Sequence, residues 1–234
     1  MSSDVTVVLA HGAWADGSSW SRVITGLWAA GVRAAAASLP LTTLQDDVAA
    51  LDRTLERVGG PVVLAAHAYA GGVIGSTRAA NVKALVYIAA LAPDEGETVA
   101  DVFYRTTPHP DAPTLEPDAH GLLWLPAEAF PAAFAQNASA EDRALLEAVQ
   151  RPISPECITA AVGRPLWKDR PSWYLLAEDD RMIPAETQRF MAERMGATVR
   201  KHGGDHMPLV TAPSVVTDLL LEAVDTAARG LSQN

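Results

Sequence analysis

The chain has 234 residues, a length typical of one large domain, and 49% of them are hydrophobic while 20% are charged. Its net charge of −10 at pH 7 argues against nucleic acid or an anionic membrane as a partner, since both repel an acidic surface. The single cysteine, Cys157, excludes an internal disulfide and favours a reducing compartment. Because the N-terminal residues lack a signal-peptide pattern and no apolar run is long enough to span a membrane, a cytoplasmic protein is expected.

Apolar, β-branched runs alternate with helical patterns in the first part of the chain. Four such runs predict strands, at residues 5–10, 32–38, 62–66 and 82–90. Between the first two, a helix is expected with Ser18 or Ser19 at its N-terminus and Gly31 at its C-terminal stop. A second helix is predicted over residues 44–58, and a third, made of small residues, follows Tyr69.

The segment of residues 93–170 has a different character. It is rich in proline, carries scattered aromatic residues and lacks strand-like runs. Three short helices are predicted within it, at residues 126–135, 140–149 and 155–162. Because a helical insertion between the strands of an α/β core is typical of a cap over a site, we expect a cap at 93–170 on a core made of 1–92 and 171–234.

Strands and helices alternate again after this segment. Strands are predicted at residues 173–176 and 197–201, and helices at residues 184–195 and 214–229. Such alternation indicates parallel pairing through right-handed crossovers. The predicted fold class is therefore α/β, with about six strands in a mainly parallel sheet flanked by helices and a helical cap inserted after the fourth strand.

The stretch VVLAAHAYAGGVIG, residues 62–75, has the form of a mount for a nucleophile. An apolar strand ends at a bend, and a helix of small residues begins behind it. Such an elbow needs small residues two positions before and after its tip, here Ala66 and Ala70, so that strand and helix pack closely. The tip itself is Ala68, whose methyl group cannot act as a nucleophile.

Two polar loops follow the later strands. LLAEDDRMIP places Asp179 and Asp180 after the fifth strand, and KHGGDHMPLV places His206 after the sixth. Because the carboxyl ends of parallel strands meet at one edge of the sheet, we expect tip, acid and histidine to lie together, in that chain order. The neighbouring Glu178 and Asp205 are expected to be solvated.

Four ordered motifs, LAHGAWADGSSW, AAHAYAGG, AEDDRMIP and GDHMPLV, resemble those of the α/β-hydrolase superfamily. Within it, the chain is similar to the small esterase branch of plant methylesterases, hydroxynitrile lyases and their bacterial relatives. The resemblance covers essentially the whole chain. The elbow of that branch is usually written G-H-S-Y-[GA]-G, so a serine is expected where this chain has Ala68.

The resemblance implies a role for each matching position. His206 is expected to be the general base, and Asp180 the carboxylate that fixes its tautomer, because the family acid often stands four residues before the loop proline, here Pro184. The backbone N–H groups of Ala13 and Tyr69 are expected to form the oxyanion hole.

Six apolar side chains are candidates for the substrate pocket, namely Trp14, Phe103, Trp124, Phe134, Trp167 and Met207. For each aromatic one taken singly, core packing or cohesion of the cap is an equal alternative. His11 and His67 each lie beside a turn and are expected to bind nearby backbone. The sequence has no cluster at metal-ligand spacing and no glycine-rich nucleotide motif, so neither a metal nor a cofactor is expected.

The alanine at position 68 leaves three explanations open. Serine was changed to alanine in this chain, or the protein is a non-hydrolytic binding protein or receptor, or His206 and Asp180 serve a lactonase or cofactor-free lyase. A lyase needs a polar group beside its base, for which Lys168 and Lys201 are candidates by charge alone. The intact acid and histidine loops favour the first explanation, so we expect a serine hydrolase for carboxylic esters of small, moderately hydrophobic molecules, as a monomer or homodimer.

Overall fold

A computed structural model describes residues 4–231; the outer limits of the predicted core, residues 1 and 234, lie outside the described residues. Six strands form one sheet in the order β2-β1-β3-β4-β5-β6, and every neighbouring pair is parallel. The strands are β1 Thr6–Ala10, β2 Arg33–Ala37, β3 Val62–His67, β4 Val82–Ile88, β5 Ser172–Ala177 and β6 Thr198–His202. The predicted α/β fold class is confirmed.

Helices flank this sheet. In chain order they are α1 Ser21–Ala29, α2 Leu44–Val58, α3 Ala70–Ser76, α4 Val99–Phe103, α5 Ala140–Val149, α6 Glu156–Thr159, α7 Ala185–Arg194, α8 Pro208–Thr211 and α9 Pro213–Leu231. The long α9 packs on α1 and on β4, while α2 packs on α3. Between residues 4 and 231, no helix combines the length and the apolar character that crossing a membrane requires.

The core lies along the central strands. Every residue of β3 and of β5 is buried, as expected for strands that are covered on both faces of a parallel sheet. The edge strand β6 is more exposed and carries Arg200 and Lys201, charges that discourage pairing with another chain. The buried central strands end at one sheet edge, which therefore offers a firm support for the loops that follow β3, β5 and β6.

The first helix begins differently from the prediction. A short 3₁₀ helix, Gly17–Trp20, precedes α1, and Asp16 caps it in place of Ser18 or Ser19. The Asp16 carboxylate accepts a hydrogen bond from the Ser18 N–H at 2.8 Å. An ionised carboxylate satisfies such a free N–H group well, which explains why the cap lies two residues earlier.

Residues 93–170, called the cap segment here, lie between β4 and β5 and contain α4, α5 and α6. The helix expected at 126–135 is reduced to a π-helical turn, Phe130–Phe134, because Pro131 has no N–H group to continue an α-helical ladder. The helix expected at 155–162 ends at Thr159, since the chain becomes extended and Ala161 pairs with Thr98 in a β-bridge.

Candidate active site

Ala68 lies at the carboxyl end of β3, directly before α3 begins. Its φ of +50° is in the left-handed region, which non-glycine residues rarely adopt and which costs roughly 1–2 kcal/mol. The Ala68 carbonyl accepts hydrogen bonds from the N–H groups of Gly71 (3.2 Å) and Leu91 (3.0 Å), which hold this backbone in place. Gly12 packs so closely that a Cβ there would lie 2.9 Å from the Ala68 Cβ. The elbow is thus a strained turn held by its neighbours.

His206 and Asp180 form a buried pair beside this turn. The His206 Nδ1 lies 2.8 Å from Asp180 Oδ2, and both side chains are almost inaccessible to solvent. The other carboxylate oxygen accepts hydrogen bonds from the N–H groups of Met182 and Ile183, each at 2.8 Å. Because a carboxylate only accepts, His206 Nδ1 carries a proton, and in the neutral ring Nε2 is the basic atom. Within residues 4–231, His206 Nε2 has no hydrogen-bond partner.

Three other acidic residues of the two loops take no part in this pair. Asp179 is exposed, and its carbonyl accepts from Gln136 at 2.8 Å. Glu178 is exposed, but Asp205 is fully buried, so the expectation that Asp205 is solvated is wrong. Its carboxylate accepts from the N–H of Asn137, the N–H of Met207 and the hydroxyl of Thr211, and these three donors replace water.

Ala13 and Tyr69 line the same cavity as Ala68. Neither N–H group donates a hydrogen bond to any residue in the described part of the chain. The turn after Ala13 is fixed by Trp14, which has a φ of +57° and whose N–H donates to the Arg151 carbonyl at 3.0 Å. The Tyr69 hydroxyl donates to buried Asp47 at 2.6 Å, which anchors that side chain and leaves its backbone N–H available.

The cavity has a volume of about 70 Å³ and carries no Asp, Glu, Lys or Arg side chain on its walls. Six of the predicted residues line it: Ala13, Trp14, Ala68, Tyr69, Phe103 and His206. The cap segment adds Val99, Tyr104, Leu115, Leu123, Ile153 and Ile158, and the core adds Leu91, Met182 and Ile183. The titratable side chains on this wall are the His206 imidazole and the phenols of Tyr69 and Tyr104.

Four predicted pocket residues do not line this cavity. Phe134 lies behind it, with its ring centroid 5.4 Å from that of His206, and Met207 is fully buried nearby. Trp124 is 45% exposed because its indole N–H binds Asp118 on the cap surface. The indole N–H of Trp167 donates to the Pro93 carbonyl, and the ring lies near Gly75 of α3.

Two buried histidines support the surrounding loops. His67 Nε2 donates to the His206 carbonyl at 2.7 Å, and the two rings lie 4.7 Å apart. Burial, together with the nearby His206, lowers the pKa of His67 well below its usual range, so His67 is neutral at pH 7. His11 accepts from the Leu39 N–H at 3.1 Å, and burial lowers its pKa as well. Both histidines bind backbone, as their positions beside turns predict.

The remaining polar candidates lie elsewhere. Lys168 forms an ion pair with Asp94, Lys201 is exposed on β6, and neither lines the cavity. In the described range, 4–231, no three His, Cys, Asp or Glu side chains come together as metal ligands. Sequence reasoning missed Gln188, which donates to Asp180 at 2.8 Å. Its helical spacing from Met191 and Ala192 places Gln188 on the buried face of α7, and this pattern could have indicated a buried polar contact.

Known proteins share this architecture. Norfluorocurarine synthase 2 from Strychnos is 24% identical over 191 residues, which span 70% of this chain and 69% of that protein. The structure of polyneuridine aldehyde esterase superposes with a TM-score of 0.81 at 21% identity, over 94% of this chain and 98% of that chain. A serine-to-alanine variant of a pyrethroid hydrolase superposes with a TM-score of 0.82 at 20% identity, over 96% and 99% of the two chains.

A family model agrees with these likenesses. The model of the alpha/beta hydrolase family matches residues 7–219, from β1 to the middle of α9. This range holds the elbow, both polar loops and the entire cap segment. The chain therefore belongs to the α/β-hydrolase family.

Proposed function

We propose that this protein is a serine hydrolase for carboxylic esters of small, moderately hydrophobic molecules, and that Ala68 makes this chain an inactive variant that binds an ester without cleaving it. In the active form, a serine at position 68 would attack the carbonyl carbon while His206 Nε2 takes the hydroxyl proton. His206 would then give that proton to the leaving alcohol, and water would release the acyl group. The 2.8 Å hydrogen bond between His206 and Asp180, beside the cavity that Ala68 lines, carries this proposal.

The free main-chain donors support ester chemistry at this place. Ala13 and Tyr69 line a cavity whose wall is mostly apolar, and within residues 4–231 their N–H groups donate to no other residue. Preorganised donors stabilise the negative charge that develops on a carbonyl oxygen, and one such donor is typically worth about 10²–10³ in kcat. Two matched proteins are named as an esterase and as a pyrethroid hydrolase, which supports the same reaction class for this chain.

The cavity wall favours a neutral substrate with a short acyl group. Its lack of charged side chains leaves no partner for a carboxylate or an ammonium group, so burying a charged ligand would be costly. Its volume of about 70 Å³ is well below the roughly 150 Å³ of an apolar cavity that admits benzene. We assign residues 93–170 the role of a cap over the core, since this segment supplies seven of the fifteen residues that line the cavity.

Restoring the hydroxyl tests the proposal. Ala68→Ser is expected to hydrolyse short p-nitrophenyl esters, with kcat about 10⁶-fold above the rate of the unaltered chain. Adding His206→Ala should remove that gain, whereas adding His202→Ala, a histidine on β6 outside the cavity, should preserve it. A folded Ala68→Ser protein that releases no product from a panel of esters and lactones would refute the assignment.

Ala68 itself favours a second candidate, in which His206 acts as a base without a covalent intermediate, either in a cofactor-free lyase or in a lactonase whose attacking water gives its proton to His206. A base and two backbone donors suit removal of a proton from the carbon next to a carbonyl, because the proton passes to His206 Nε2 and the charge to the oxygen. When the carbonyl re-forms, a leaving group on the next carbon departs with its bonding electron pair and takes the proton from His206. If the unaltered chain, but not His206→Ala, converts such a compound, this second candidate replaces the first. A ligand that binds tightly and is released unchanged even by Ala68→Ser indicates a binding protein.

A further inference from the structure

Gln188 contacts the acid of the candidate site from α7. Its side chain is fully buried, and Nε2 lies 2.8 Å from Asp180 Oδ2, the same oxygen that binds His206. A second hydrogen of this amide points to the Ile183 carbonyl at 2.8 Å. The amide oxygen accepts the Ala177 N–H at 3.0 Å. A buried glutamine thus bridges the end of β5, the acid loop and the carboxylate.

These partners allow only one orientation of the amide. Nε2 faces two acceptors at 2.8 Å, the Asp180 carboxylate and the Ile183 carbonyl, with the Ala177 carbonyl farther away at 3.5 Å, while the amide oxygen faces the Ala177 N–H donor. Turning the amide over would set an oxygen against two acceptors and an NH₂ group against a donor. The backbone groups of Ala177 and Ile183 therefore fix the orientation of the amide, and its NH₂ group is the one that faces Asp180.

We propose that Gln188 is a positioning residue, which holds Asp180 Oδ2 in line with His206 and shares the negative charge of that oxygen. Asp180 Oδ1 is already held by two backbone N–H groups, so Gln188 and His206 are the partners that fix the second oxygen. A donor stabilises the ionised carboxylate and withdraws charge from the bond to the imidazole. Only the role of His206 as base rests on the proposed function.

Few titratable groups surround the pair. His206 faces Asp180 across their hydrogen bond and the neutral His67 ring at 4.7 Å, while apolar Phe134 covers another side. Tyr174, the titratable neighbour of Asp180 from β5, is held by a hydrogen bond of 2.6 Å from its hydroxyl to the Ala90 carbonyl. Asp205, next to His206 in the chain, is also buried, and three donors satisfy its carboxylate. Asp180 Oδ2 is the acidic oxygen that His206 contacts directly, so a change at Gln188 should be measurable in the His206 titration.

The experiment follows His206 in the unaltered chain by ¹⁵N NMR of labelled histidine as a function of pH. Gln188→Met keeps the length of the side chain but removes the donor, so more charge stays on Oδ2 and the imidazolium is favoured. The titration midpoint of His206 is expected to rise by about half a pH unit. Gln150→Met is the matched control, because Gln150 binds only the Leu125 backbone, and it should leave the midpoint unchanged. An unchanged or lower midpoint in folded Gln188→Met overturns the proposal.

Gln188→Glu provides a second variant with nearly the same shape. Two carboxyl groups at this distance resist ionising together, so the introduced carboxyl keeps its proton and can donate it to Asp180 Oδ2. The His206 midpoint should then stay closer to that of the unaltered chain than it does in Gln188→Met, and an equal or larger rise contradicts the proposal. In the Ala68→Ser background, Gln188→Met should lower kcat about tenfold at unchanged KM. Failure of Ala68→Ser to hydrolyse esters would refute the proposed function, whereas the NMR titration would still decide the role of Gln188.

Discussion

Replacing Gly71 with alanine adds a methyl group to the narrowest contact of the elbow. A Cβ at this position would overlap the Leu91 carbonyl oxygen and lie 3.0 Å from the carbonyl carbon. Both atoms are backbone, so relief requires the chain after β4 to move away from α3. The Leu91 N–H also donates to the Ala68 carbonyl, and such a movement would weaken the bond that holds the tip of the elbow.

The size of the effect follows from two opposing contributions. Alanine is better than glycine inside a helix by about 0.5–1 kcal/mol. Overpacking of a rigid site costs about 1–3 kcal/mol, and the backbone contact here places Gly71 near the upper end. The expected net loss in the free energy of unfolding is therefore about 2 kcal/mol. Gly75 on the same helix is the matched control, since a Cβ there meets nothing closer than 3.5 Å and should stabilise the fold by about 0.5 kcal/mol.

Urea unfolding of the two variants and the parent chain, monitored by circular dichroism, measures this difference. Gly71→Ala should move the midpoint to lower urea concentration without changing the slope, and Gly75→Ala should move it slightly upward. Equal stability of the two variants would refute the reasoning, because it would mean that the backbone after β4 can move away from α3 at no cost in free energy.

Two further predictions concern the buried polar groups. The folded state lowers the pKa of His67 and of His11, so the unfolded chain binds more protons below about pH 6.5. The free energy of unfolding is therefore highest above that pH. Below it, the free energy of unfolding declines by up to about 1.4 kcal/mol per pH unit for each proton. Urea titrations between pH 7 and pH 5 should show this slope, and His67→Gln should reduce it. Asp205→Ala leaves three donors of the histidine loop and cap segment without their acceptor and should cost roughly 2–3 kcal/mol, whereas a loss below 0.5 kcal/mol would contradict the structure.

The sequence predicted the sheet because its strands are simple patterns. Apolar runs such as β3 and β5 are buried on both faces, and the alternation with helices determines that they pair in parallel. The candidate dyad was also predictable, since its two members follow β5 and β6 and must meet at one sheet edge. The choice of Asp180 over Asp179 came from the family resemblance, and the roles of these residues stay predictions until activity is measured.

The roles of buried polar residues could not be predicted in the same way. Asp205 binds Asn137, which is 68 positions away in the chain, and a periodic pattern carries no information about such a contact. From the sequence alone, a charged loop residue such as Asp205 is therefore predicted to be solvated. In the structure, three protein donors bind its carboxylate in place of water. The positions of aromatic residues were equally hard to predict. Trp14 and Trp124 were both candidates for the pocket, yet Trp14 lines the cavity and Trp124 binds Asp118 on the surface.

The backbone at position 68 bears on the explanations of the missing nucleophile. Alanine at a φ of +50° is strained by roughly 1–2 kcal/mol, and glycine would remove that strain at an entropic cost of about 0.5–1 kcal/mol. A protein that used this turn only as structure would thus be somewhat more stable with glycine at its tip. The site instead keeps an alanine side chain on the wall of the cavity that Ala13, Tyr69 and His206 also line. Strain that is retained at such a position is explained most directly by a side chain that was required there for chemistry.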